Sequence, residues 1–252
     1  NSSILIYKLS EEGIWDLSSQ LPFNALRADI NFSGDILTFS TTEDLANGIV
    51  LTYKFENNSW TQMGNLINAP SPSEFTQFGS DVRLSNDGYR IAISSFAPDT
   101  IETPNPSLSN TRSVHIYDYD LITNEWNSYL NTPLIYTLFQ ASSYYPEIAM
   151  SNDGDFVTVC NGDGYSSPNG QYNFTPYSSQ LMTFNLSNNS FNLTSNSEIN
   201  TRVYRNGYAR FHLIEQQGTI MFVENKSYYW TNDNGSTQGT QTYLPAFKFI
   251  NN

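Results

Sequence analysis

A single cysteine, Cys160, excludes an internal disulfide and any multi-cysteine metal centre. No cation adjoins Cys160 in sequence to stabilise a thiolate, so it reads as a packed, inert thiol. Cations are scarce throughout: 11 lysines and arginines stand against 24 acids, a net charge of −13. Nucleic-acid binding needs a surplus of Lys and Arg to displace counterions from phosphates, and docking on anionic lipid needs the same, so the charge argues against both. No run of eighteen apolar residues exists, which leaves nothing to span a membrane as a helix. No signal peptide is visible, and the chain passes from Asn1-Ser2-Ser3 directly into the apolar segment Ile4-Leu5-Ile6-Tyr7. There are two histidines, and no Gly-x-Ser-x-Gly, His-Glu-x-x-His or phosphate-cradling glycine loop.

What the chain does have is β-forming residues. Aromatics make up 15% and charged residues 14%, the reverse of a disordered composition. Tyr, Thr, Phe and Ile suit pleated surfaces, while Asn, Ser, Thr and Tyr are poor helix formers, and no window carries a long apolar helical period.

A phrase recurs. Its fullest copy is Phe78-Gly79-Ser80-Asp81-Val82-Arg83-Leu84-Ser85-Asn86-Asp87-Gly88-Tyr89-Arg90-Ile91-Ala92-Ile93, followed by Val114-His115-Ile116-Tyr117 and then Trp126. A second is Ile148-Ala149-Met150-Ser151-Asn152-Asp153-Gly154-Asp155-Phe156-Val157-Thr158-Val159, then Leu181 to Phe184, then Phe191. A looser copy runs from Ile30 through Gly34 to Phe39, then Ile49 to Tyr53, then Trp60. The glycines 34, 88, 154 and 218 lie 54, 66 and 64 residues apart. The aromatics Trp15, Trp60, Trp126 and Phe191 lie 45, 66 and 65 apart. Two independent markers with nearly one period define a modular array.

Each unit reads as four short strands. Val82 and Leu84 alternate with polar residues, and Ser-Asn-Asp-Gly follows as a tight hairpin turn. Residues 90–94 return, 114–119 make a third strand, Thr123-Asn124 turns, and Trp126 opens a fourth. Tandem four-stranded antiparallel units predict a β-propeller, with a sandwich or solenoid as the alternative. The expected organisation is one domain over 1–252: a half blade at 1–20, blades at about 22–65, 75–130 and 144–195, and a degenerate blade at 208–249. The half blade could supply the outer strands of the last one, giving four or five blades, or the chain could be part of a longer propeller. The repeated residues are scaffold, so function is to be sought where the copies differ.

Trp60 to Gly64, Phe78-Gly79, Leu84 to Gly88, Ile91-Ala92-Ile93, Ala97-Pro98 and Val114 to Tyr117 together resemble one unit of the integrin-α-like (FG-GAP-type) propeller repeats. The resemblance is specific across 60–126, moderate across 28–60 and 144–191, and faint at both ends. It implies a propeller, and a surface or secreted protein of the kind found in marine microbes and large viruses. It does not imply one activity, because this fold hosts many. The family's calcium loop is not intact. Asp153-Gly154-Asp155 and Asn161-Gly162-Asp163-Gly164 lack the spacing that gives one ion enough oxygens. No cofactor is therefore expected, with calcium as the alternative.

His115, between Val114 and Ile116, is expected to point away from their face as a surface or inter-blade residue. His212 is expected to be structural. Carboxylates assembled from different blades could serve a glycosidase or lyase at the central mouth, and Asp99, Glu102, Asp118, Asp120, Glu147 and Asp163 are the candidates. Strand parity points elsewhere. In a four-strand meander, the two-to-three connections and the crossovers share a rim, opposite the short Ser-Asn-Asp-Gly turns. The long segments 96–112 and 162–179 and the crossovers at 66–76, 130–145 and 195–208 all open there. That rim carries Tyr144, Tyr145, Tyr165, Tyr172, Phe174 and Tyr177 among small polar residues, a composition suited to recognition, or to pinning the loops to the scaffold. Sequons such as those at Asn31 and Asn57 fall in predicted turns and could accept glycan. The reading is a non-catalytic recognition or assembly protein, extracellular, cell-surface or virion-borne. It would contact protein or glycan through this rim or within a larger assembly, with a carbohydrate-active enzyme as the alternative.

Overall fold

The computed structural model describes residues 3–41, 48–70, 77–96, 111–130, 132–137, 146–161, 163–165, 176–187, 190–202, 208–216, 219–231, 237–243 and 246–248. Of these, only the backbone is described for 96, 111, 137, 146, 160, 161, 163–165, 176–181, 195–202 and every position from 208. Among the described residues there is no helix.

A hairpin of β1 (Ile4–Leu9) and β2 (Trp15–Leu21) forms a two-stranded sheet. The next sheet is a meander of β3 (Ala25–Ile30), β4 (Ile36–Thr41), β5 (Ile49–Glu56) and β6 (Ser59–Gln62). The short β7 (Ile67–Asn68) continues the fourth position along β5. The same plan returns in β8 (Val82–Leu84), β9 (Arg90–Phe96), β10 (Thr111–Asp120) and β11 (Glu125–Ser128), with β12 (Leu134–Thr137) on the other end of β10. It returns again in β13 (Pro146–Met150), β14 (Phe156–Asn161), β16 (Pro176–Ser187) and β17 (Ser190–Arg202). Between β14 and β16 the chain leaves this sheet as β15 (Asp163–Tyr165). That strand pairs with β18 (Tyr208–Gln216), which is followed by β19 (Thr219–Thr231), β20 (Thr237–Tyr243) and β21 (Ala246–Lys248). All pairs are antiparallel.

The sheets are arranged radially. The first strands touch in succession, β3 with β8, β8 with β13, and β13 with β18. The core lies between sheets rather than within one. Ile36, Val50, Met63 and Ile67 of the first full sheet meet Tyr117 and Trp126 of the next. Val114 and Ile116 of that sheet meet Met182, Phe184 and Leu186 of the third. This is a β-propeller of four-stranded antiparallel blades, the architecture that the repeat predicts.

The turns between first and second strands repeat in atomic detail. The Ser85 hydroxyl donates to the Asp87 carboxylate at 2.6 Å and accepts from the Arg90 N–H, while the Gly88 N–H donates to the Ser85 carbonyl. Ser151, Asp153, Gly154 and Phe156 make the same set. In the looser copy Asn31 takes the serine's place, its Oδ1 accepting from the N–H groups of Asp35 and Ile36. Neighbouring turns are bonded to each other: Phe32 N–H to the Asn86 carbonyl, and Asn86 N–H to the Asn152 carbonyl. Gly88 and Gly154 have φ of 78° and 76°, as the turn chemistry predicts.

One expectation needs correction. The segment 162–179 is not all loop, since β15 and the start of β16 lie within it; β15 forms because β18 offers a free edge to pair with. The N-terminal hairpin is a sheet of its own among the described residues. Ile4, Ile6 and Leu21 pack on Leu37, Phe39, Ile49 and Leu51, and among the described residues neither of its strands pairs with β18 to β21.

A valine at Gly88 or Gly154 should cost about 1–3 kcal/mol or more, because positive φ strains a β-branched residue. The added carbon would also meet Ile36 Cδ1 at 2.7 Å or Arg90 Cδ at 2.9 Å, across the blade interface. Urea denaturation of both variants measures this, and unchanged midpoints would refute the account. Trp126 is 3% exposed and donates from its indole to the Met63 carbonyl at 3.1 Å, whereas Trp15 is 65% exposed. Trp126→Ala should therefore cost about 3–5 kcal/mol and Trp15→Ala within about 1 kcal/mol, read by the same titration.

Candidate functional site

The innermost strands bring charged residues together around the axis. Alternation on a strand puts Arg27 and Asp29 on one face of β3, and Asp81 and Arg83 on one face at the start of β8. Alignment on the turn glycines places Arg27, Asp81 and Glu147 at one level and Asp29, Arg83 and Ala149 at the next. Opposite charges thus stand side by side on adjacent blades.

Each acid is used as a staple. Asp81 is 1% exposed; its Oδ2 accepts from the Ile148 N–H of the next blade at 2.9 Å, and its Oδ1 from the Val82 N–H at 3.0 Å. Arg83 Nη1 lies 3.0 Å from the same Oδ1. Asp29 repeats the device one blade earlier, its Oδ2 accepting from the Leu84 N–H at 2.8 Å. Burial pushes both carboxyls above the ordinary range. Against that, Arg83 and the Ile148 N–H hold the charged form of Asp81, and the Leu84 N–H and then Arg83 hold that of Asp29. The geometry ties blade to blade, with the acceptor oxygens of both carboxylates turned to protein donors. Neither Asp29 nor Asp81 stands out in the sequence as a site residue. The available signal is charge at inward positions of a first strand that is otherwise apolar.

The candidates read from sequence fare differently. Asp118 makes a bidentate pair with Arg90, at 2.6 and 2.9 Å. The same guanidinium reaches Asp155 and the Gly154 carbonyl of the next blade, both at 3.2 Å, and lies 4.4 Å over the Tyr129 ring. Asp120 caps the Leu121–Asn124 turn by accepting from the Ile122 N–H, which holds its carboxyl low. Glu147 stands on β13, half-buried beside the axis, with its backbone opposite Cys160. Asp163 belongs to β15, and Asp99 and Glu102 lie outside the described residues. Among the described residues no group of acids, histidines or cysteines is arranged to hold a metal ion.

His115 is buried, 5% exposed, against side chains of its own unit. Its ring meets Phe78 edge-on with centroids 5.2 Å apart, and its Nε2 lies 3.1 Å from the Ser95 hydroxyl and 3.2 Å from that of Ser113. The two hydroxyls are 2.6 Å apart and fully buried, so this serine–histidine cluster is closed to substrate. Burial lowers the His115 pKa to about 4, which keeps the ring neutral. His212 falls in β18, opposite Val223.

Of the rim aromatics, Tyr165 ends β15 opposite Tyr208, and Tyr177 lies near the start of β16 opposite Thr201. Both backbone positions sit where the strands meet the rim opposite the Ser-Asn-Asp-Gly turns. Tyr144, Tyr145, Tyr172 and Phe174 lie outside the described residues. The connections β4 to β5, β9 to β10 and β14 to β16, and the crossovers β7 to β8, β12 to β13 and β17 to β18, leave and re-enter the sheets on that rim. The opposite rim has the four-residue turns and the Asn57-Asn58 hairpin turn, whose residues have φ of 51° and 61°. The sequon at Asn31 is not a glycan acceptor in the folded chain, because Asn31 is 5% exposed and its amide is committed to Ser33, Asp35 and Ile36. Asn57 is exposed.

No protein-family model matches this chain, and no curated protein does. Solved structures resemble it in fold. A candidate 6-phosphogluconolactonase from Bacteroides uniformis aligns over 98% of this chain and 68% of its own, at 12% identity and TM-score 0.49. Another from Bacteroides fragilis aligns over 94% and 63%, at 10% and 0.48. TolB from Acinetobacter baumannii aligns over 85% and 43%, at 12% and 0.35. The chain thus spans less than two thirds of the second and third of these. At this level of likeness the architecture rests on the sheets themselves, and no activity transfers.

The buried histidine gives a pH test. A folded pKa of about 4, below the ordinary 6.5, means that the unfolded state binds the proton more tightly. The stability contributed by a neutral His115 is then complete above about pH 6.5 and lost as the pH falls toward 4, to a limit of about 3 kcal/mol. Leucine occupies the equivalent position, Leu51, in the preceding blade, so His115→Leu is the matched control. The wild type should lose stability relative to this variant between pH 6.5 and 4 in parallel urea titrations. Parallel pH profiles would refute a neutral, buried ring.

Proposed function

We propose that this propeller is a non-catalytic recognition or assembly module of the integrin-α-like type, borne outside the cell, on a cell surface or on a virion. It contacts protein or glycan through the rim on which its long connections open. The observation that carries this reading is the division of labour between the axis and that rim. Around the axis, Asp29 and Asp81 are committed to backbone N–H groups of the next blade, and Arg83 lies against Asp81. A glycosidase needs two carboxylates whose oxygens face a sugar. The long connections of variable sequence, to which Tyr144, Tyr145, Tyr165, Tyr172, Phe174 and Tyr177 belong in the sequence, leave and re-enter the sheets on one rim. Rigid aromatics among Gly, Ser, Pro and Asn give contact area at low entropic cost. A net charge of −13 directs the choice of partner away from nucleic acid and anionic membrane.

The test replaces 166–175 by a short Gly-Ser linker and compares the two proteins on an arrayed glycan panel and on immobilised glycoproteins. The expected result is loss of binding with an unchanged melting transition, since loop tips tolerate such changes. Equal binding by both proteins overturns the rim assignment. Release of reducing ends from a polysaccharide by the wild type overturns the non-catalytic reading in favour of a glycosidase or lyase.

A further inference from the structure

From Lys226 to Tyr243 the chain has no aliphatic residue. Tyr228, Tyr229, Trp230 and Tyr243 stand among Ser, Thr, Asn, Gln and Gly, with one cation, Lys226, and one acid, Asp233. The strands that build the inter-blade cores read differently. The same strand β19 begins Thr219-Ile220-Met221-Phe222-Val223, and its partners in β18 include Leu213 and Ile214. Within one strand, apolar residues thus give way to aromatics set among hydroxyls and amides.

The backbone puts this change of composition on the rim of long connections. Tyr208, the first residue of β18, pairs with Ser227; β19 continues from Tyr228 to Thr231, paired with β20 from Gln241 to Thr237. This arm leads into the two-to-three connection of its sheet, and strand parity puts that connection on the same rim as the others of its kind. Tyr165, opposite Tyr208, stands at the root of the arm. Register then sorts the residues, because directly opposite positions, and positions two apart along a strand, share a face. Tyr243, Tyr228 and Trp230 share one face, with Lys226, Gln241 and Gly239 opposite them in turn. Their levels follow at steps of about 7 Å along the arm. The other face has Ser227 opposite Thr242 and Tyr229 opposite Thr240.

We propose that the face of Tyr243, Tyr228 and Trp230 is a binding site for a neutral glycan. The proposal rests on the rim reading above and narrows its partner to sugar. A pyranose has an apolar face of C–H groups and an edge of hydroxyls. Tyr and Trp rings suit the first, and amide and ammonium groups suit the second. Gln241 holds the place opposite Tyr228 and offers both a donor and an acceptor, as vicinal hydroxyls require. The apolar core of a protein–protein contact would call for aliphatic or Met residues beside the aromatics, and residues 226–243 have none. Lys226 and Asp233 cancel within the segment, while the whole chain's charge of −13 repels anionic polysaccharide, so the sugar selected is uncharged.

The test titrates the whole chain calorimetrically with hexasaccharides of glucose, xylose, galactose and mannose. It also measures binding to an immobilised high-mannose glycoprotein before and after enzymatic removal of its glycans. The expected result is binding of at least one hexasaccharide, with an affinity insensitive to salt, and loss of any glycoprotein binding with its glycans. Preference for the plant-type glucose or xylose oligomers marks a polysaccharide source and preference for mannose a glycoprotein source; both support the site. Tyr228→Thr with Trp230→Thr keeps β-forming residues in the strand and should weaken binding about tenfold or more. Trp230→Phe retains a ring and should recover most of the loss. Tyr229→Thr, on the other face, should leave affinity within about twofold. Failure of every neutral hexasaccharide to bind overturns the proposal, and an equal loss in Tyr229→Thr overturns the assignment to this face. Binding that survives Tyr228→Thr with Trp230→Thr but is lost when 166–175 is replaced overturns the proposal and leaves the rim reading standing. Equal binding to the glycosylated and deglycosylated protein overturns it in favour of a protein partner on the same rim.

Discussion

The rest of the structure depends on the contact between the aromatic face of one blade and the aliphatic face of the blade before it. Trp126 with Tyr119 and Tyr117 lies against Ile36, Val50, Met63 and Ile67. A single four-stranded sheet of this length has no core of its own; each face is buried only because another blade covers it. That constraint explains the period of the sequence. An aromatic must return after each third strand because each inter-blade space needs one large side chain to fill it. It also explains why Gly88 and Gly154 are doubly constrained: their φ serves the turn, and their missing Cβ leaves room for Ile36 or Arg90 of a neighbouring blade.

Polar groups follow the same logic at the axis. First strands from different blades approach closely but do not form a continuous sheet, so some of their N–H groups would be buried without partners. Asp29 and Asp81 supply the acceptors, at Leu84 and Ile148. A buried carboxylate without a partner would be costly, and here each has an N–H donor from the next blade, with Arg83 near enough to act on both. Acids that resemble catalytic candidates by position are thus consumed by the architecture. Arg90 does comparable work further out, joining Asp118 of its own blade to Asp155 of the next. With the axis and the inter-blade spaces committed to stability, the variable rim is where the chain has freedom to differ, and recognition is proposed there for that reason.

The sequence by itself determined whatever acts over a few residues. Strand alternation, the Ser-Asn-Asp-Gly turns with their positive-φ glycines, the Asn124 turn and the four-strand plan of each repeat are all legible, because a turn's hydrogen bonds and a strand's two faces are local properties. Tertiary structure decided everything set by what lies across a gap. Trp15 and Trp126 share a place in the repeat and end at 65% and 3% exposure, because among the described residues a blade packs on Trp126 and none packs on Trp15. Asn31 reads as a turn residue open to glycan, yet its amide is the hub of that turn. Asp163 to Tyr165 reads as loop and becomes a strand because its partner, β18, begins more than forty residues later. Of the candidate site, the rim aromatics are read from composition and strand parity alone, of which only the backbones of Tyr165 and Tyr177 are among the described residues. The stapling roles of Asp29 and Asp81 were hidden, because a carboxylate's function depends on which N–H the fold places within 3 Å of it.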